Sequence, residues 1–296
     1  MALLASLPPW PLVEEMLRTL VLPAFLAAGA VLALVCALSR SERVRTAGAA
    51  AALLVGLAAG NHFHHLLDWC PASLQRGWRV LLPVVAGVTS AATLLGMLPA
   101  RAHWSAGPVL RVLVAAAGTW LILEALAPLT ATATYGLLLT CVILNWEISR
   151  LACSRLPRRG TLPVLAVLWG GAAAALLIFA HSARFCDLAV LLTASLVGVG
   201  IAAAVWKLDL TFLLAAPCVF IPGLLLAGAA NTYSEVPCAA FAWAAIAPAA
   251  LLPLCVPLAL RLPAPVRIAI AMLSLLLPCA AGVIMAARVE SLDYGE

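Results

Sequence analysis

The chain has 296 residues, of which 65% are hydrophobic and 10% are charged, with a formal net charge of +5 at pH 7. Soluble domains have about 45–50% apolar and about 25% charged residues, so this composition leaves too little polar surface to cover a soluble globular fold. It also excludes a disordered chain, collagen and a disulfide-rich miniprotein, and it predicts an integral membrane protein that spans the lipid bilayer several times.

Ten apolar runs along the chain are long enough to be membrane spans, since a helix needs about 20 mostly apolar residues to cross the hydrocarbon. The runs are continuously apolar, whereas the strands of a membrane barrel alternate. We therefore predict an all-α, polytopic transmembrane helix bundle of about ten membrane-spanning helices with short loops, forming a single integral membrane domain over residues 1–296. The predicted spans are residues 17–38, 46–67, 80–98, 109–127, 131–151, 162–181, 187–206, 210–230, 238–260 and 266–287.

The predicted number of ten spans depends on two tight turns. As one helix, residues 109–146 would be about 57 Å long, nearly twice the hydrocarbon thickness of about 30 Å, so we predict a turn at Pro128. Residues 187–230 pose the same problem, and Lys207 and Asp209 mark their turn. Without these two turns the alternative is eight or nine spans.

The cationic residues predict the orientation of the spans. When the loop between the first two spans is placed in the cytoplasm, 12 of the 17 cations lie on that side. Because cytoplasmic loops retain Lys and Arg, we expect a multi-pass protein of the plasma (inner) membrane with both termini outside. The excess of Arg over Lys, together with much Ala and Leu, indicates GC-rich coding and hence a bacterial source. The 12 cytoplasmic cations are Arg40, Arg43, Arg45, Arg101, Arg111, Arg150, Arg155, Arg158, Arg159, Lys207, Arg261 and Arg267.

Most acidic residues lie on the predicted outer side of the membrane. Of the 12 acidic residues, only Glu42, Glu147 and Asp209 lie on the predicted cytoplasmic side. Glu147 and Arg150 are three residues apart on one helix, which is the spacing of an ion pair. The net positive charge predicts contact with anionic lipid headgroups. It does not predict nucleic-acid binding, because the largest basic run, residues 155–159, lies in a short loop.

The densest polar cluster is at the predicted outer end of the second span. On a helix that continues this far, His62, His64, His65 and Asp68 share a polar face opposite an apolar one. Imidazole and carboxylate ligands suit zinc or another first-row metal, and the same groups can exchange protons, so these four residues are a candidate metal or proton site. The alternative is an interfacial helix end in contact with headgroups, anchored by Trp69.

Glu124 is an acid well inside a predicted span. An acid at that depth is costly, so it is a functional-site hypothesis by default. The alternative is structural, because Glu124 lies about one turn from Pro128 and can reach the interface.

Prolines cluster in the last three spans and are predicted to interrupt their helices. Pairs of interrupted helices often frame a transporter's binding site, although proline is also frequent in membrane helices generally. The predicted helix breaks are Pro217, Pro222, Pro248, Pro253 and Pro257.

Three functional classes fit these observations. The sequence contains no Walker A, dinucleotide-binding or nucleophile-elbow motif, and it identifies no cofactor. The first class is a permease or carrier for a small solute. The second is a non-catalytic membrane subunit or anchor, which contacts partner subunits or copies of itself through small-residue faces; Gly56 and Gly60 would let a neighbouring helix approach the second span closely. The third is an intramembrane metal-dependent enzyme that uses the histidine cluster.

Overall fold

The computed structural model describes residues 10–64, 81–97, 107–126, 132–156, 164–231 and 235–293. Within these ranges the regular elements are all helical, and no described residue lies in a β-strand. The predicted all-α bundle is therefore confirmed.

Ten helical elements follow one another along the described residues. The first five are α1 (Trp10–Met16, then the π-helical Leu17–Val21, then Leu22–Leu38), α2 (Glu42–His64), α3 (Leu81–Gly96), α4 (Gly107–Leu126) and α5 (Thr132–Arg155). The second five are α6 (the π-helical Ala166–Gly170, then Gly171–Phe179), α7 (Ala183–Trp206), α8 (the 3-10 turn Thr211–Leu214, then Ala215–Asn231), α9 (Cys238–Ala245, then the 3-10 segments Ala247–Cys255 and Pro257–Arg261) and α10 (Ala264–Asp293).

Each predicted span overlaps one of these elements. Among the described residues, seven helices are long and apolar enough to cross a membrane, while α3, α4 and α6 have shorter apolar stretches of 10–17 residues. The predicted turn between α7 and α8 is present: α7 ends at Trp206, and its C-cap residue Lys207 has a left-handed φ of 56°. Asp209 Oδ1 then accepts hydrogen bonds from the backbone N–H and the hydroxyl of Thr211, at 3.0 and 2.9 Å. Pro128 lies outside the described residues.

Glycines bring α1, α2 and α7 into close contact. A Cβ built on Gly56 of α2 would lie 2.8 Å from Ala24 O of α1 and 2.9 Å from Ser195 Oγ of α7. A Cβ built on Gly198 of α7 would overlap the backbone carbonyl of Phe25. Helices in lipid associate through close van der Waals contact, so the missing side chains allow these three helices to pack backbone against backbone.

The centre of the bundle is α8. In its apolar stretch 83% of the residues are buried, against 67% in α7 and 28% in each of α1 and α10. Its neighbours include α4, α5 and α9, and a Cβ on Gly223 would contact the side chain of Ile122 of α4. Of these four helices, α8 and α7 therefore lie in the middle of the bundle, and α1 and α10 lie nearer to its periphery.

The ninth element is interrupted inside the bundle. Its α-helix ends at Ala245 and a 3-10 segment begins at Ala247. Trp169 Nε1 of α6 donates to Ala244 O at 2.8 Å, and Asn145 Nδ2 of α5 donates to Ala245 O at 2.7 Å. An unpaired carbonyl inside a membrane is costly, so these two side chains stabilise the break.

Gly198→Ala is expected to destabilise the protein by about 1–3 kcal/mol, because its methyl group overlaps the α1 backbone and the helices must move apart. Gly171→Ala is the matched control, since within the described part of the chain no atom lies within 4 Å of a Cβ at that position. Thermal unfolding of the two variants in the same detergent measures the difference. Equal unfolding midpoints would contradict the close contact between α1 and α7.

Candidate functional site

Charged side chains gather at the end of the bundle where α1 ends and α2 begins, which we call the basic end. A cavity of about 220 Å³ opens there between α2, α3, α4, α5 and the turn that precedes α8. We call it the charged cavity. It is lined by Glu42, Thr46, Ala92, Leu95, Arg111, Trp146, Arg150, Asp209, Thr211 and Phe212.

One carboxylate holds the two arginines of the charged cavity. Glu147 Oε2 accepts hydrogen bonds from Nε and Nη2 of Arg150, at 3.0 and 2.7 Å. Glu147 Oε1 accepts from Nε of Arg111, which comes from α4. The Arg111 side chain is only 12% exposed, so the ion pair connects α4 to α5 where solvent screening is weak. The predicted pair of Glu147 and Arg150 is confirmed, and Arg111 joins it from a second helix.

The residues that line the cavity differ in exposure to solvent. Trp146, Ala92 and Leu95 are buried, whereas Glu42 and Asp209 are exposed. The arginines lie between, with Arg111 less exposed than Arg150. The cavity thus has one mostly buried guanidinium group, that of Arg111, and two exposed carboxylates. Such an arrangement can bind a ligand that bears both an anionic and a cationic group.

The opposite end of the bundle, where α2 ends, we call the histidine end. His64 Nδ1 lies 2.7 Å from Thr19 Oγ1 of α1, and its Nε2 lies 3.6 Å from Asp187 Oδ2 of α7, an ion pair when the imidazole is protonated. Thr19 Oγ1 also lies 2.8 Å from Glu15 O of its own helix, to which it can donate. His64 therefore connects α1, α2 and α7.

The predicted histidine site is only partly within the described residues. His62 stacks edge-on against Phe63 with ring centroids 5.5 Å apart, while His65 and Asp68 lie outside the described residues. No group of three or more His, Cys, Asp or Glu side chains that could hold a metal occurs in the part of the chain that the structure describes. In that part, His64 is paired with Asp187, a residue of another helix.

Glu124 and the prolines lie away from the charged cavity. Glu124 is in the last turn of α4, and its side chain lies outside the described residues. Pro217 is in the first turn of the α-helical part of α8, which continues through Pro222. The remaining three prolines are in the 3-10 segments of α9: Pro248, Pro253 and Pro257. None of these residues is among the described residues that line the cavity.

The sequence contained one signal for the charged cavity. Glu42, Glu147 and Asp209 are the three acids that fall on the predicted cytoplasmic side, and all three belong to the cavity or to its ion pairs. Acids on the basic side of the membrane are candidates for pairing with cations. The partners of these acids are set by how α2, α4, α5 and the turn before α8 come together.

No protein-family model matches this chain, and comparison with curated proteins and with solved structures finds no match.

Glu147→Gln is expected to destabilise the protein by about 1–3 kcal/mol, because Arg111 and Arg150 lose the charge they share. Glu42→Gln removes a carboxylate of the same cavity that is exposed, and it is expected to change stability by at most about 0.5 kcal/mol. Thermal unfolding in one detergent compares the two variants. A Glu42→Gln protein that unfolds as early as Glu147→Gln would contradict the central role of Glu147.

Proposed function

We propose that this protein is a membrane carrier and that the charged cavity binds the polar group of its substrate. The observation that carries the proposal is the convergence of Arg111, Arg150, Glu42 and Asp209 on one cavity at one end of the bundle. Charges of both signs favour a polar group that is zwitterionic. A bundle that only filled or anchored a membrane would not need charged side chains from separate helices to line a common cavity.

Features beyond the cavity agree with a carrier. The cavity is open at the basic end, and its lining includes the buried residues Trp146, Ala92 and Leu95. At the histidine end, the contacts of His64 with Thr19 and Asp187 hold α1, α2 and α7 together. This combination is what a carrier open to one side requires. The interruption of α9 adds a discontinuous helix, a common element of carriers that alternate between two open states.

The proposal includes an orientation in which the basic end faces the cytoplasm of a plasma (inner) membrane, with both termini outside. The cation distribution supports it. The packing agrees with the alternation of the spans on which the orientation depends, because the Thr19–His64–Asp187 contact joins residues at the predicted outer ends of three spans. The charged cavity joins residues that the sequence places inside.

Transport by the purified protein tests the carrier. In vesicles, we expect uptake of the zwitterions phosphoethanolamine or glycine above that of protein-free vesicles, and no uptake of acetate or ethylamine. Arg150→Gln should reduce uptake about tenfold, the loss expected for a charge-assisted hydrogen bond. Arg43→Gln, an exposed cation of the same end that does not line the cavity, should leave uptake unchanged.

Uptake that is equal in the wild type and in Arg150→Gln would show that the cavity is not the substrate site. If no zwitterion moves in this assay and no labelled lipid moves in the assay described in the next subsection, the carrier proposal is wrong.

Cysteine labelling tests the orientation. In a cysteine-free background, an impermeant thiol reagent added to intact cells should modify Ser73→Cys and Ser234→Cys and should spare Ser41→Cys and Ser154→Cys. Labelling after the cells are opened is the control that the last two thiols can react. Modification of Ser41→Cys or Ser154→Cys in intact cells would reverse or overturn the proposed orientation.

A non-catalytic membrane subunit is the second candidate, and two exposed glycines favour it. No atom of the described structure lies within 4 Å of a Cβ on Gly136 or Gly171. Small residues on an exposed helix face are typical of helix–helix interfaces in membranes, so partner subunits or a second copy of the chain fit there. A subunit of this kind would not transport by itself, and the vesicle assay therefore separates the two candidates.

A further inference from the structure

An apolar groove runs along the outer surface of the bundle between α3 and α4. It has a volume of about 580 Å³, and its described lining residues all have apolar side chains or none. On α3 it extends from Pro83 to Leu95, a distance of roughly 18 Å at about 1.5 Å per residue. Half of the hydrocarbon thickness is about 15 Å, so the groove is as long as one leaflet is deep.

Glycine keeps this groove open. Gly87 lies in its wall, and no atom of the described residues lies within 4 Å of a Cβ at that position. Leu94 and Leu113, which also line the groove, are 67% and 56% exposed. The groove is therefore accessible from the side of the bundle, where the hydrocarbon of the bilayer lies.

The groove ends at the charged cavity. Leu95 lines both of them. On α4, Leu110 lines the groove and the next residue, Arg111, lines the cavity. An apolar surface as long as a leaflet thus adjoins a cavity that is lined by cations and anions.

Charged groups of both signs lie beside this end of the groove. Arg111 and Arg150 are 12% and 35% exposed, and the carboxylates of Glu42 and Asp209 are exposed. A lipid with a phosphate and a terminal amine combines the matching groups: a hydrocarbon chain, a phosphate and an ammonium group. Arginine binds phosphate through several N–H donors, and a primary ammonium has three donors for carboxylates.

We infer that the charged cavity and the apolar groove together bind one lipid whose headgroup carries a phosphate and a primary amine, with its hydrocarbon chain in the groove. This inference rests on the proposed function and specifies its substrate class. A water-soluble zwitterion would use the cavity alone and would leave the groove without a role. A lipid uses both and enters from the side, through the bilayer.

Lipid binding to the purified full-length protein tests the inference. Phosphatidylethanolamine, phosphatidylcholine and phosphatidylglycerol with identical acyl chains are added in equal amounts, and the retained lipid is measured by native mass spectrometry. Phosphatidylcholine lacks ammonium N–H donors and phosphatidylglycerol lacks the amine. We expect phosphatidylethanolamine to be retained about tenfold more than either, the difference made by one charge-assisted hydrogen bond. Equal retention of the three lipids would overturn the inference.

Two variants with matched controls locate the lipid. Arg150→Gln should reduce the retained phosphatidylethanolamine about tenfold, and Arg43→Gln should not.

Gly87→Leu fills the groove where there is open space, so it should fold normally and also reduce retention. Gly136→Leu places the same side chain at another exposed glycine and should have no effect. Full retention by Gly87→Leu would show that the chain does not lie in the groove.

Movement of the lipid separates this inference from the carrier proposal. Vesicles receive phosphatidylethanolamine with a fluorescent acyl chain, and its transfer between leaflets is followed with an impermeant quencher. Faster transfer with the wild type than with Gly87→Leu supports both the lipid site and the carrier. Selective retention without transfer supports the lipid site and contradicts the carrier. Uptake of phosphoethanolamine without selective retention of phosphatidylethanolamine supports the carrier and overturns the inferred lipid site.

Discussion

Hydrogen bonding of the backbone in a medium without water constrains every part of this protein. Each N–H and C=O inside the hydrocarbon needs a partner within the protein, and a helix supplies those partners within one segment. The constraint is most visible where a helix ends early. At Ala244 and Ala245 the α-helical pairing of α9 stops, and the indole of Trp169 and the amide of Asn145 replace it. The break persists because two neighbouring helices provide donors at the right depth.

The bundle has a tightly packed part and a more open part. In the tightly packed part, α1, α2 and α7 are in backbone contact through Gly56 and Gly198, and His64 joins the same three helices at their end. In the more open part, α3 and α4 are separated along one side by the apolar groove. Small residues serve opposite purposes in the two parts. They are covered by a neighbouring helix in the first, whereas Gly87 remains uncovered in the second.

The charged cavity shows how a membrane protein can keep charges at the edge of its core. Glu147 neutralises parts of two guanidinium groups, which reduces the cost of placing Arg111 where it is mostly buried. The remaining carboxylates, Glu42 and Asp209, stay in contact with solvent. The α4–α5 ion pair therefore does two things at once: it connects two helices, and it fixes the arginines beside the end of the groove.

The sequence by itself determined the fold class and the approximate positions of the helices, because apolar runs of sufficient length have only one stable form in a bilayer. It also predicted the turn at Lys207 and Asp209 and the pairing of Glu147 with Arg150, since both depend on neighbouring residues. Only the tertiary structure decided which distant residues meet. Arg111 and Glu147 are 36 positions apart, and His64 and Asp187 are on helices that do not follow each other in the chain. Such pairs depend on which helix faces touch, and in lipid those faces are selected by small residues and local shape, which the apolar pattern of a span does not encode.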